Sequence, residues 1–536
     1  MNIPRSNKQL QTALALALLL VVALFALFEP PFTASDLTIA PDSVEYSTAA
    51  WRLVHEGRYA VTINGTAYPP RYPPGFALLA LAPVYQLLGH EIGIGAGIFG
   101  VLFWSLVGVA AAFAIGRRLG GLPSGLMAGA GVLLLPDFRR YSQMIMSDAT
   151  CAAMMLVLLL AYLRLTSADN NWRGWLTAGL ISALAFSIRP TALSATLPFL
   201  LLALLNSPRR RALSNVLLFS LPIALFAASQ MFYNFRALGS PLRSGYQYWC
   251  PVPLDYPHLT FGISHLGSNA EAAWQSGLFI LLAIVTIMFF VLRRSAQTDD
   301  PHSVARQDCL RFVLFTAAPL TLFHLLYFYP ETRFFLPATG VFAAVAGAML
   351  GTLLQRASDR SAVVAAAAAL VLVLLLALTR PTPDPTRRHA VDLFNNTLPR
   401  SALLISNIDP VYLDFFLNQN AERTILPLSR HVEYASKIVA PTKVREPDPP
   451  PIHAFDHRCP GIRNGGGHDV ISATASEPEG LDLIDATLTS GTPVFLDATH
   501  ISWLQRSTVT NLQKRYQVRR QAEGLYELTQ PPYRLR

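Results

Sequence analysis

The chain has little charge: Asp, Glu, Lys and Arg make up only 14% of its 536 residues, where a soluble domain of ordinary composition carries roughly a quarter. It has four cysteines, too few for a disulfide-built scaffold. The scatter of His453, Asp456, His457, Cys459 and His468 lacks the ligand spacing of a structural zinc site. The GGG at 465–467 does not join a strand to a helix, which excludes a phosphate-cradling loop. No repeat of solenoid period occurs. The net charge of +9 raises the question of nucleic acid, but no basic stripe with interleaved aromatics is present. The basic residues sit instead in small clusters beside apolar stretches, so nucleic-acid binding is excluded.

Apolar residues fill the space left by charge. They form 52% of the chain, and the mean hydropathy is positive. A bilayer core needs roughly 20 apolar residues per helix. Runs approaching that length lie near 10–28, 92–116, 122–136, 149–165, 175–189, 191–206, 213–232, 276–292, 312–329, 335–354 and 361–379. They predict a polytopic α-helical membrane protein with about eleven spans, several of them shorter than the usual minimum. Residues 10–28 follow a basic segment without a small-residue cleavage site and read as a retained first span.

Orientation follows from Lys and Arg. The pairs Arg117-Arg118 and Arg293-Arg294 and the triplet Arg209–Arg211 all fall on one side if the N-terminus is cytoplasmic. The loops 29–91, 137–148 and 233–275 then lie outside, with the C-terminal region. After Arg380 the Pro-rich PTPDPT marks a junction. The expected domains are 1–380, a transmembrane catalytic domain that includes the first outer loop, and 381–536, a soluble domain. Short β-rich runs (ALLISN, RTILPL, PVFLDA, GLYELT) alternate there with helix-like ones, which predicts an α/β fold. Cys250 and Cys459 both fall outside, where a disulfide between them and two free thiols are equally open.

The polar stretch PDSVEYSTAAWRLVHEGRYA, followed by AYPPRYPPG, places Asp42, Glu45, Tyr46, Arg52, Arg58 and Arg71 at the outer membrane edge. Asp42 with Glu45 three residues later has the form of a capping box; a cap at the mouth of a cavity can also act as a base. Asp148 opens a span, where it complements the helix dipole, and the nearby Arg139-Arg140 suits a phosphate. Arg189 lies within an apolar stretch, where a charge faces a cavity or a partner, or snorkels to the surface. In YFYPETRFFLPA, Glu331 and Arg333 either pair with each other or meet an anionic headgroup.

These pieces in this order (PDSVEY with an Ala-rich helix, YPPGFALLALAPVYQLLG, MSD, SIRP, NFRALGSPLRSGY and ETRFFLPA) resemble the GT-C integral-membrane glycosyltransferases. The resemblance is to the branch of protein O-mannosyltransferases and lipid A aminoarabinose transferase-like enzymes. It implies a polyprenyl-phosphate-linked sugar as donor, used on the outer face of a membrane, with an unspecified lipid, glycan or protein as acceptor. By position, Asp42 matches the first-loop acid that activates the acceptor, and Asp148 the acid that opens a later span. Arg333 matches the basic residue near the donor phosphate. Arg71, Arg139 and Arg189 are expected to share that phosphate, and Glu45, Tyr46 and Glu331 to line the substrate cavity. Many members have adjacent acids in this loop, whereas Asp42 here is followed by Ser43. The resemblance leaves a divalent metal open. A bacterial inner membrane is the expected location, with the C-terminal domain periplasmic or extracellular. The competing readings are a transporter or flippase and a non-catalytic assembly factor for cell-envelope glycoconjugates. The polar clusters collect at one face without a mirrored second half, unlike a transporter with inverted repeats.

Overall fold

A computed structural model describes residues 5–29, 42–167, 171–206, 208–249, 254, 257–294, 302–378, 386–406, 408–418, 421–427, 463–464, 468–469, 477–499 and 506–531. The chain divides into two compact units, one of residues 1–35, 73–233 and 262–382, the other of 36–72, 234–261 and 383–536.

The first unit is helical. Among the described residues, seven helices are long and apolar enough to cross a membrane: Asn7–Leu27, Ile94–Gly120, Ser147–Thr166, Arg210–Leu238, Ser303–Leu325, Thr332–Ala357 and Asp359–Leu378. An eighth is reached if the pair Ile263–Gln275 and Leu278–Arg294 forms one span bent by 63°. The bend falls at Gly277, whose φ of 76° suits a residue without a side chain. Leu122–Leu134 and Pro190–Leu205 are apolar but short. Counting apolar runs therefore exceeds counting helices of spanning length, because three of the runs form helices of fewer than 18 residues. The span Thr332–Ala357 is 83% buried and lies at the centre of the unit. Small residues allow its close approach: a Cβ on Gly347 would lie 2.2 Å from the Met127 carbonyl oxygen of the helix Leu122–Leu134. Where lipid is as apolar as a side chain, such backbone contact is a main source of helix association.

The second unit is α/β. Its five-stranded sheet runs in the order Glu422–Pro427, Ser401–Ser406, Val494–Asp497, Leu525–Thr529, Gln517–Ala522. The first three strands are parallel and the last two antiparallel. Leu403, Ile405, Val494, Leu496 and Leu528 form the core with Ile484 and Leu512 from two covering helices. Apolar strands covered by helices are what a parallel sheet requires. The helix Asp42–Glu56 and the hairpin Val61–Ile63/Thr66–Tyr68 also belong to this unit. The hairpin turns at Asn64-Gly65, both at positive φ (51° and 74°), as a two-residue turn of right-handed strands demands.

Two polar ties hold the hairpin in its unit. The Thr62 hydroxyl donates to Asp414 Oδ2 at 2.7 Å. The Asn64 side chain takes both sides of the Ile425 backbone, accepting its N–H at 2.8 Å and donating to its carbonyl at 3.0 Å. Replacing Asn64 with Ala removes two hydrogen bonds and leaves in the left-handed region a residue that tolerates it less well than Asn. We expect a loss of about 2–3 kcal/mol, and Asn64→Gly, which keeps the turn, should lose less. Melting curves of the two variants in detergent check the order.

Candidate active site

The residues singled out in the sequence fall into two clusters, one in each unit.

In the second unit, Asp42 and Glu45 occupy the first turn of the helix Asp42–Glu56, where negative charge favours the helix N-terminus. Both are buried, at 8% and 0% exposure. The prolines of PPRYPPG keep residues 69–74 out of regular helix and strand, and the bend at 71–72 delivers Arg71 and Tyr72 to that turn. The Tyr72 hydroxyl donates to Asp42 Oδ1. Glu45 accepts the Arg71 backbone N–H at 3.3 Å and pairs with its guanidinium at 3.6 Å. Tyr46, one turn beyond Asp42, stacks on Tyr72 at 4.3 Å between centroids. Tyr246 meets the Tyr72 ring edge-on at 5.3 Å. It follows Gly245, where a Cβ would fall 2.2 Å from the Pro70 carbonyl oxygen. The Tyr59 hydroxyl donates to the Tyr72 carbonyl at 3.0 Å.

The electrostatics of this cluster follow from burial and opposite charge. Burial, then the Asp42 carboxylate, lift the Tyr72 hydroxyl well above the usual tyrosine range, so it stays a neutral donor. Burial acts to lower the Arg71 pKa, but Tyr72, Glu45 and Asp42 together raise it further, so Arg71 stays charged.

In the first unit, three polypeptide breaks come together. Asp148 lies in the first turn of the span that begins at Ser147. Arg189 is the extended residue between the helix Trp172–Ile188 and the turn starting at Pro190, the conformation a following proline imposes. Arg333 lies in the turn Thr332–Phe335 that opens the central span. Arg189 Nη2 pairs with Asp148 Oδ1 at 2.8 Å, and Arg189 Nε donates to Ser147 Oγ at 3.1 Å. The Arg189 and Arg333 guanidiniums lie 5.8 and 5.4 Å from the centroid of the Phe334 ring, a cation–π arrangement.

The short helix Pro136–Ser142, which carries half-buried Arg139, reaches the same cluster through Asp137 and Tyr141. Burial raises the Asp137 carboxyl, offset in part by a side-chain hydrogen bond with Thr332. Tyr141 is pushed up to about 12 by burial and then by Asp148, with Arg333 pulling the other way. Glu331 is half-buried just before Thr332.

Asp148, Arg189 and Arg333 thus share one cluster, and Asp42, Glu45, Tyr46 and Arg71 the other. Both acids of the capping-box pattern bond beyond their own helix, to Tyr72 and Arg71. Cys250 and Cys459 lie outside the described residues, so their pairing does too; Cys151 and Cys309 are free and buried. Among the described residues, no group of three or more His, Cys, Asp or Glu side chains is arranged to hold a metal ion. Sequence reasoning passes over Tyr72, Tyr246, Ser147, Tyr141 and Phe334. Tyr72 had a usable signal, an aromatic hydroxyl between two Pro-Pro pairs. The others had none, because their roles come from long-range packing.

Helical spans with ionic clusters at breaks in the chain, and an α/β unit in the same chain, describe a multi-pass membrane protein. Residues 72–233 match the family described as dolichyl-phosphate-mannose-protein mannosyltransferase. The fold is similar to that of ArnT from Cupriavidus metallidurans bound to undecaprenyl phosphate, with 13% identity, a TM-score of 0.60, and coverage of 96% of this chain and 97% of that one. The apo form of the same protein gives 12% identity, a TM-score of 0.61 and the same coverage. The apo oligosaccharyltransferase of Archaeoglobus fulgidus is also similar, with 11% identity, a TM-score of 0.51, and coverage of 78% of this chain and 64% of that one. No curated protein matches the chain in sequence. Together these show a fold shared with ArnT and the archaeal oligosaccharyltransferase, and a family match confined to residues 72–233.

Proposed function

We propose that this protein moves a sugar from a polyprenyl-phosphate-linked donor to a hydroxyl or amine acceptor at the outer face of a bacterial inner membrane. What carries the reading is the pair of guanidiniums on the single Phe334 ring, Arg333 at the start of a membrane span and Arg189 at the end of the apolar helix Trp172–Ile188. A lipid-linked phosphate sits at that depth, and guanidinium is the side chain best matched to its oxygens. The structurally similar ArnT from Cupriavidus metallidurans was solved bound to undecaprenyl phosphate, which supports the same ligand class here.

In the proposed reaction the acceptor oxygen or nitrogen attacks the anomeric carbon. The bond from that carbon to the phosphate oxygen breaks, and the electron pair leaves with the polyprenyl phosphate. Arg333 and Arg189, with Arg139 of the helix Pro136–Ser142 as a further candidate, stabilise the charge that develops there. The acceptor proton passes to the Asp42 carboxylate. Arg71, expected from the sequence on the phosphate, is committed to Glu45; we assign it to balancing the negative charge around Asp42. Tyr46 and Glu45 complete the acid cluster, and Glu331 borders the basic one. The Lys and Arg distribution supports a cytoplasmic N-terminus and an extracytoplasmic α/β unit.

One displacement inverts the anomeric configuration. Mass spectrometry of lipids and glycoconjugates from cells with and without the gene tests the reading. A polyprenyl-phosphate sugar should accumulate without it, and one glycoconjugate should disappear. An unchanged lipid pool would overturn the function, and a product with retained configuration would overturn the single displacement.

A further inference from the structure

His324 takes no part in the chemistry above, yet its surroundings are those of a binding residue. It lies in the last turn of the helix Ser303–Leu325, within the first unit, and is 5% exposed. Neither Nδ1 nor Nε2 has a hydrogen-bond partner among the described residues. Its ring lies nearly flat on Phe334, 5.1 Å between centroids and 19° between planes, and meets Phe335 edge-on at 5.9 Å. Phe334 is the same ring that carries the Arg189 and Arg333 guanidiniums. One aromatic side chain therefore organises two guanidiniums and one imidazole.

The helix end that presents His324 is fixed. Asn269, itself buried, donates through Nδ2 to the carbonyl of Leu325 at 3.3 Å and to that of Tyr327. The Gly262 N–H donates to the Leu326 carbonyl at 2.9 Å. Terminal carbonyls of a span are thus satisfied around a side chain that is not. Buried polar groups are nearly always partnered, and an imidazole left dry costs free energy that a phenyl ring in the same stack would not. A ligand that enters the cluster and accepts an N–H removes that cost.

We propose that His324 is a further phosphate-binding residue: its ring N–H donates to an oxygen of the polyprenyl phosphate held by Arg189 and Arg333. The proposal rests on the phosphate reading above and extends it from charge to geometry. Arginines alone recognise an anion, whereas a ring N–H fixed by stacking favours one orientation of its oxygens. The shared chemistry is a phosphate group, and the lipid is its proposed source.

The test is binding of undecaprenyl phosphate to the purified full chain in detergent, with inorganic phosphate as the second ligand. His324→Phe preserves the stack on Phe334 and removes both nitrogens. It is expected to bind the lipid about 10–100-fold more weakly, the range for a hydrogen bond to a charged group. Its melting temperature without lipid should equal or exceed that of the native protein, because an unsatisfied buried group is gone. His324→Gln or His324→Asn, which place an amide N–H near Nε2 or Nδ1, should recover part of the affinity. Native affinity in His324→Phe would overturn the role of His324 and leave the phosphate reading standing. No lipid binding by the native chain, or binding of inorganic phosphate alone, would overturn both.

Discussion

Asp42→Asn is expected to lower the rate of sugar transfer by about 10²–10⁴-fold, the range that a positioned general base contributes. Expression and melting temperature should stay near native. The carboxamide has the shape of the carboxylate, and its oxygen can still accept the Tyr72 hydroxyl. What it lacks is the capacity to take a proton. Asp42→Ala is a weaker test, because it also strands Tyr72 as a buried donor and confounds chemistry with stability. Tyr72→Phe separates positioning from proton transfer. The ring keeps its stack on Tyr46 and its edge contact with Tyr246, but the carboxylate loses a donor. A fall in kcat of about 10-fold with little change in KM is expected, as for one charge-assisted hydrogen bond. Full activity in Asp42→Asn would remove Asp42 as the base.

The sequence carried the architecture in its bulk chemistry. Low charge, apolar runs and clustered Arg residues are statistical properties of long segments, so the polytopic helical class and the α/β character of the C-terminal region could be read from them. The number of spans was less legible. Three apolar runs, at 122–136, 175–189 and 191–206, form helices shorter than the 18 residues of a full span. The membership of residues 36–72 in the second unit rests on pairings such as Thr62 with Asp414 and Asn64 with Ile425, which join positions more than 350 residues apart. No local pattern encodes these.

The candidate site divides in the same way. Asp42, Asp148, Arg189 and Arg333 stood out because a charge beside an apolar span needs a reason. Phe334 and His324 did not, since an aromatic beside other aromatics reads as core or interfacial belt. Their significance lies in what shares the ring, and that is set by folding. Arg71 illustrates the converse. Its charge was visible, but its commitment to Glu45 depends on how PPRYPPG meets the helix Asp42–Glu56.

The Asp148–Arg189 pair should show the largest coupling between two residues in the chain. Asp148 is fully buried and Arg189 nearly so, at 0% and 14% side-chain exposure, with 2.8 Å between the charged atoms. Removing either partner leaves the other charge buried among apolar groups, for which a loss of about 3–5 kcal/mol is typical. Asp148→Ala should suffer more than Arg189→Ala. It strands a cation that can be relieved only by snorkelling, whereas an acid left alone can take up a proton and become neutral. The double replacement, Asp148→Ala with Arg189→Ala, should be more stable than Asp148→Ala alone, because no uncompensated charge remains. Its transfer activity should stay lost, since one of the two guanidiniums on Phe334 is gone. Melting temperatures of the four proteins in detergent give the coupling directly. Strictly additive effects would show that the pair contributes no mutual stabilisation. In that case Arg189 would owe its position to Ser147 and Phe334, and Asp148 would be better assigned to substrate than to orienting the arginine.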